Sequence, residues 1–175
     1  MCARSPEHCE HDLCVNTTSR VVGVNTTSGV VCVLEKPFWI VDILPEQVAK
    51  NSAGQYFAIE QYYLSEPKNS ELRTKYANLV LKLNCYYDIV LLDDFAQDYE
   101  CGELNPDPDK LVGCFVGKSA KNSVSIIIKN ENTMVVSNKD DTYLTVYNPV
   151  EHVLDLISRL AVAEGLYVWR PVSGE

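Results

Sequence analysis

The sequence predicts an α+β domain with a mainly antiparallel sheet and two or three helices. Short apolar runs bounded by turn residues indicate about seven or eight strands. These runs follow one another instead of alternating with helices, which favours antiparallel over parallel pairing. A length of 175 residues predicts a single domain, residues 20–175, which follows a polar N-terminal arm, residues 1–19.

The first half of the chain is expected to begin with a meander of three strands, Arg20–Val24, Val30–Leu34 and Phe38–Ile43. Pro45–Asn51 is predicted to be a short helix, because proline suits the first helical turn. Tyr56–Leu64 fits either a strand or a helix. Asn69–Asn84 is a clearer helix, since its apolar residues fall on one face, and Tyr86–Leu92 is predicted to be a buried strand.

The second half is predicted to hold four further strands, Leu111–Gly117, Ser123–Lys129, Thr133–Ser137 and Tyr143–Asn148. A helix follows, for which Asn148 is the expected cap and Pro149 the first residue. Gly165 is expected to end this helix, and Leu166–Trp169 to return as a short strand.

The charge balance narrows the class of partner. The formal net charge is −9 and the isoelectric point is about 4.8. Nucleic acids and anionic membranes are disfavoured, because binding to them requires a basic surface. No apolar run reaches the roughly 18 residues of a spanning helix. A protein with a basic surface is the expected partner.

The N-terminal residues and the cysteines predict a reducing compartment. The first residues carry charges and no apolar core of a signal peptide, so we expect the cytoplasm or the nucleus. The seven cysteines, an odd number, are most simply free thiols there. The Asn-Thr-Thr sequons at Asn16 and Asn25 would then stay unglycosylated.

One candidate metal site lies in the N-terminal arm. Thiolate and imidazole are the ligands that zinc prefers. The arm offers both within thirteen residues, at Cys2, His8, Cys9, His11 and Cys14. Paired Cys-x-x-Cys spacing is absent, so the alternative is a flexible terminus with exposed thiols.

A candidate partner-binding surface lies in the acidic segment 93–109, which holds seven acids and no base. We expect a loop that is either simply solvated or that docks a basic protein and speeds its association. A site for Ca²⁺ or Mg²⁺ is a weaker interpretation, because the EF-hand pattern is absent. The predicted binding residues are Asp93, Asp94, Phe95, Asp98, Tyr99 and Glu100.

Candidate catalytic residues are few. Cys85 and Cys101 are possible nucleophiles and His152 a possible base. His152 lies near the start of the last predicted helix, where a positive charge is unfavourable, so an exposed structural role is the alternative. No nucleophile elbow, HExxH, P-loop or dinucleotide fingerprint occurs, and no catalytic residue is assigned.

Aromatic residues are concentrated in the middle of the chain. They are Tyr56, Phe57, Tyr62, Tyr63, Tyr86, Tyr87, Phe95 and Tyr99. Tyrosine often anchors interfaces, because it buries a large area and keeps a polar tip. It is also common in cores, and we expect most of these side chains to be buried, apart from Phe95 and Tyr99 in the acidic loop.

Residues 20–168 show an order of short strands and one amphipathic helix. The segments that carry it are Gly29–Leu34, Trp39–Leu44, Pro45–Ala49, Leu111–Gly117, Val124–Ile128, Thr133–Ser137, His152–Leu160 and the ending Glu164-Gly165-Leu166. This order resembles one unit of the SUKH superfamily, which includes herpesvirus-type host-interaction proteins and bacterial immunity proteins that neutralise toxins. The resemblance implies a binding module that sequesters another protein, and it assigns no functional residue.

Acidity and the lack of a catalytic motif therefore predict a non-enzymatic antagonist that captures a basic partner protein. Two alternatives stay open at this point. One is a small regulatory protein that binds zinc through the N-terminal arm, and the other is a cysteine hydrolase.

Overall fold

The computed structural model describes residues 33–49, 51–92 and 102–172. These ranges contain seven strands and four complete helices. The strands are β1 (Phe38–Asp42), β2 (Ile89–Leu91), β3 (Glu103–Leu104), β4 (Ser123–Ile128), β5 (Thr133–Asn138), β6 (Tyr143–Tyr147) and β7 (Tyr167–Trp169). The helices are α1 (Tyr56–Leu64), α2 (Lys68–Leu83), α3 (Pro108–Phe115) and α4 (Glu151–Ala163).

The seven strands form one sheet in the order β3-β2-β4-β5-β6-β1-β7. Every pairing in it is antiparallel. Strands β4, β5 and β6 form a meander, and β1 is inserted between β6 and the C-terminal strand β7. The predicted α+β class with an antiparallel sheet is therefore confirmed, although the described ranges hold four helices and not two or three.

The core lies between the sheet and helices α2, α3 and α4. The apolar positions of α2 that its periodicity placed on one face are all buried, namely Leu72, Tyr76, Leu79, Val80 and Leu83. They pack with sheet residues such as Ile126 and Leu144. The helical period therefore identified the buried face of α2 correctly. In the part of the chain that the structure describes, no helix has both the length and the apolar character needed to cross a bilayer.

The predicted strand Leu111–Gly117 is wrong, because most of this segment belongs to α3. The Asp107 side chain accepts a hydrogen bond from the Asp109 N–H at 2.9 Å and so caps the helix. Pro108 then occupies the first helical turn, which suits its fixed φ. Leu111, Cys114 and Phe115 are buried at helical spacing. The capping signal lay in residues that the prediction had assigned to the acidic loop.

Two other predicted elements differ from the structure. Residues 45–49 form a bend and an irregular segment, not a helix. Val48 alone is partly buried there, so a helix this short lacks the packing to offset its nucleation cost. Val33 and Leu34, the described end of the predicted strand Val30–Leu34, are helical.

The expected cap of the last helix also differs. Asn148 has a φ of 52° and donates its amide to the Asn132 carbonyl at 2.9 Å. Because a residue before proline avoids helical geometry, α4 begins later, with Val150 as its N-cap.

Candidate functional site

All residues of the two predicted sites lie outside the described residues. This holds for the acidic partner-binding set, Asp93, Asp94, Phe95, Asp98, Tyr99 and Glu100. It also holds for the zinc set, Cys2, His8, Cys9, His11 and Cys14. Both assignments stay predictions. Within residues 33–49, 51–92 and 102–172, no group of three or more His, Cys, Asp or Glu side chains is arranged to hold a metal ion.

The end of the acidic segment is more ordered than a solvated loop. Glu103 lies in β3 and forms an ion pair with Lys110 of α3. Asp107 caps α3, and Asp109 lies in its first turn, where a negative charge is favourable. Glu103 and Asp107 therefore have structural partners and Asp109 has a favourable position at the start of α3, which leaves residues 93–100 as the part of the segment to test for docking.

Cys85 and His152 have different neighbours. The exposed Cys85 thiol donates to the Leu81 carbonyl at 3.6 Å. His152 Nε2 lies 3.2 Å from Glu131 Oε2, and its ring contacts the ring of Tyr87. His152 is exposed on α4, as the structural alternative predicted. The contacts described for each residue do not pair the thiol with the imidazole, and Cys101 lies outside the described residues.

The exposed apolar surface of helix α1 was not foreseen from the sequence. None of its residues is buried. Its exposed fractions reach 79% for Phe57, 51% for Ile59 and 55% for Tyr62. The expectation that most mid-chain aromatic residues are core residues is wrong for the six that the structure describes, because Tyr86 is also exposed and Tyr56, Tyr63 and Tyr87 are only partly buried.

The composition of α1 makes this exposure informative. Its sequence, YFAIEQYYL, is apolar all round apart from Glu60 and Gln61. Such helices are normally buried in a core or against a partner. Helix α1 lies against α2, yet Phe57, Ile59 and Tyr62 are exposed to solvent. Ile59 and Tyr62 are three positions apart and share one side of the helix, whereas Phe57 lies on another side. We call these three side chains the α1 patch.

A pocket of ≈ 350 Å³ opens beside the α1 patch. It lies between α1, the segment after β1 and the turn before β6. Its lining is Ile43, Leu44, Val48, Ser52, Gly54, Gln55, Tyr56, Ile59, Glu60, Tyr63 and Thr142. Ile59 belongs to both the α1 patch and the pocket, so the two surfaces meet at this residue.

Glu60 is the charged residue of the pocket lining. The Tyr56 hydroxyl donates to Glu60 Oε1 at 3.1 Å. Burial, followed by this hydrogen bond to the carboxylate, raises the pKa of Tyr56 to about 12, so the hydroxyl stays a donor at neutral pH. The contact holds one oxygen of Glu60 in place at the pocket wall.

Asp42 adds a second acidic group behind this wall. It is 6% exposed, and burial raises the pKa of its carboxyl to about 6. Hydrogen bonds from the backbone N–H groups of Ile43, at 2.6 Å, and of Leu44 oppose this rise, while the charge of Glu60 adds to it. A carboxylate with a raised pKa beside a pocket is a common property of functional sites.

A second cleft of ≈ 370 Å³ lies on the other side of Tyr63. It shares Ile43 and Tyr63 with the first pocket, and it has a basic character because Lys68 and Lys75 line it. Lys68 is held by Glu71 at 2.6 Å. The surface next to α1 is thus acidic on one side and partly basic on the other.

Comparisons with known proteins identify no relative: no protein-family model, curated protein or solved structure matches this chain.

Proposed function

We propose that the protein is a non-enzymatic binding module that captures another protein through the α1 patch and the pocket beside it. The observation that carries the proposal is the exposure of three large apolar side chains on a helix with no buried residue. Large apolar side chains that a soluble protein exposes together on one element often mark an interaction site. Aromatic side chains at such positions commonly supply most of the binding free energy.

The partner in this proposal has an apolar contact surface with basic groups around it. The net charge of −9 attracts a basic protein and repels an acidic one. Glu60 lines the pocket and places negative charge at one end of the surface, and the buried Asp42 lies close enough to interact with this charge. The predicted acidic set at residues 93–100 would add to the attraction. The role we propose for such a module is that of an antagonist of host-interaction or immunity type, acting in the cytoplasm or nucleus. The SUKH-like order of elements suggested this role, but that order included Leu111–Gly117 as a strand, and most of this segment is helical.

The test compares three forms of the tagged full-length chain. The first is wild type, the second carries Phe57→Ser with Tyr62→Ser, and the third carries Tyr86→Ser. Tyr86 is 66% exposed and lies outside α1, so its replacement is the matched control for loss of an exposed aromatic ring. Circular dichroism and thermal unfolding check that all three fold alike.

We expect wild type and the Tyr86→Ser form to retain one stoichiometric protein partner, identified by mass spectrometry and then reconstituted from purified components. The double variant should lose at least about tenfold in affinity, because two anchor side chains each contribute on the order of 1 kcal/mol or more. Equal retention by the double variant would show that α1 is not the docking surface.

A further inference from the structure

We propose that the pocket beside α1 receives a lysine side chain of the partner protein, with Glu60 as the counter-ion of its ammonium group. This inference rests on the proposed function, since it names the group that the docking surface recognises. The volume of ≈ 350 Å³ lies in the range of about 300–1,000 Å³ that is typical of ligand sites, so one long side chain can enter.

The walls suit the stem of such a side chain. Ile43, Leu44 and Val48 come from the segment after β1, and Ile59 faces them from α1. Lysine buries its methylene groups along apolar surface while its ammonium group stays polar. The pocket therefore offers apolar contact area to the four methylene groups as well as the Glu60 carboxylate.

The charge in the pocket selects a cation. No lysine or arginine lines the described pocket, whereas Glu60 does so and Asp42 lies close enough to it for their charges to interact. An anion would be repelled by both groups. A neutral apolar side chain would remove water from the Glu60 carboxylate without replacing it, which is unfavourable.

Glu60 has a free acceptor for this cation. Its Oε1 accepts the Tyr56 hydroxyl, and no hydrogen bond to Oε2 occurs among the residues that the structure describes. Tyr56 therefore fixes the carboxylate and leaves one oxygen open to a donor. An ammonium group carries three donors and can bind this oxygen in a charge-assisted hydrogen bond.

The experiment uses two small probes and the isotope-labelled full-length chain. Nα-acetyl-lysine-N-methylamide carries the ammonium group, and Nα-acetyl-norleucine-N-methylamide has the same stem without it. Two-dimensional NMR follows the backbone amides of Ile43, Gly54 and Ile59, which line the pocket. The same titrations are made with Glu60→Gln, which removes the charge at nearly constant shape, and with Glu151→Gln, an exposed glutamate outside the pocket lining.

We expect the lysine probe to shift the pocket amides and to bind about fivefold more tightly than the norleucine probe, as a partly exposed charge pair contributes about 1 kcal/mol. Glu60→Gln should remove this preference, and Glu151→Gln should keep it. Equal binding of both probes, or shifts confined to other regions, would overturn the inference. The titrations contain no partner protein, so they test the pocket separately from docking through α1. If both probes bind equally but Phe57→Ser with Tyr62→Ser still weakens capture of the partner, the lysine inference fails and the proposed function stands.

Discussion

Asp42 is a carboxylate held in an environment that favours its neutral form. It lies at the end of β1, and Glu60, Tyr56, Tyr76 and Tyr143 are the titratable groups whose charges interact with it. Burial raises its pKa from 3.8 to about 6. The folded state therefore binds the proton more tightly than the unfolded state does. The resulting contribution to stability is complete below pH 3.8 and is lost as the pH rises through about 6.

The effect of Asp42→Asn on stability should accordingly become more favourable as the pH rises. The amide stays neutral, so the unfolding free energy of the variant, relative to wild type, is expected to increase between pH 4 and pH 7. The increase is bounded at roughly 3 kcal/mol by the difference between the two pKa values. Urea denaturation at four pH values measures it. Asp155→Asn, on the exposed face of α4, is the control, and a pH-independent difference for Asp42→Asn would contradict the argument.

The Arg73 side chain is 3% exposed and connects helix α2 to helix α3 and strand β5. From α2, its Nη1 donates at 2.8 Å both to Ser137 Oγ and to the Asn138 carbonyl of β5. Its Nε donates to the Phe115 carbonyl at the end of α3 at 3.4 Å, and its guanidinium lies over the Phe115 ring. Burial lowers the pKa of the guanidinium, which still stays charged at neutral pH.

Arg73→Ala should therefore destabilise the fold by about 2–4 kcal/mol, because it leaves a cavity and buried acceptors without donors. Ser137→Ala removes one of these acceptors and should cost only about 1 kcal/mol. Thermal and urea unfolding of both variants provide the measurement. Equal losses for the two variants would mean that the other contacts of Arg73 contribute little.

At the scale of elements, α1 and α2 differ in how many of their residues are buried. Helix α2 has eight buried residues, whereas α1 has none. Hydrogen exchange should thus show α1 amides opening locally, well below the free energy of global unfolding, while α2 amides exchange near the global value. Bound partner should protect α1 selectively. Equal protection of the two helices in the free protein would contradict this assignment of local stability.

The sequence was most informative where one pattern dominated. Leu72, Tyr76, Leu79 and Leu83 identified α2 and its buried face, because helical spacing and burial agree there. Strands β4 to β6 were placed close to their observed positions, because alternating residues face the core and turn residues separate them.

The sequence was less informative where tertiary context decides. The segment LVGCFVG has the composition of a strand, but a cap four residues before it and burial at helical spacing make most of it helical. The apolar residues of α1 show no helical or strand period, so the sequence did not decide between a helix and a strand there. It also gave no sign that Phe57 would face solvent. The pocket could not be predicted, because it depends on how the segment after β1, which has no helix or strand, folds back against α1.

At the scale of the whole molecule, both edges of the sheet that the described residues form are short. Strand β3 has two residues and β7 has three. Short edge strands offer few unpaired backbone groups and so resist uncontrolled strand addition. The α1 patch therefore suits a specific partner better than either edge does, since it offers side chains that can be recognised and not only backbone.

Charge and the α1 patch should control different steps of binding. Long-range attraction by a net charge of −9 raises the association rate of a basic partner, whereas buried apolar contacts mainly slow dissociation. Replacing Asp93, Asp94, Asp98 and Glu100 by lysine should therefore lower the association rate about tenfold or more at low salt and flatten its dependence on ionic strength. Phe57→Ser with Tyr62→Ser should instead raise the dissociation rate and keep the salt dependence.

Surface plasmon resonance with purified partner from about 20 to 300 mM salt separates the two effects, because Debye screening grows over this range. An unchanged association rate in the charge-reversed form would remove residues 93–100 from the binding surface and leave α1 to account for recognition.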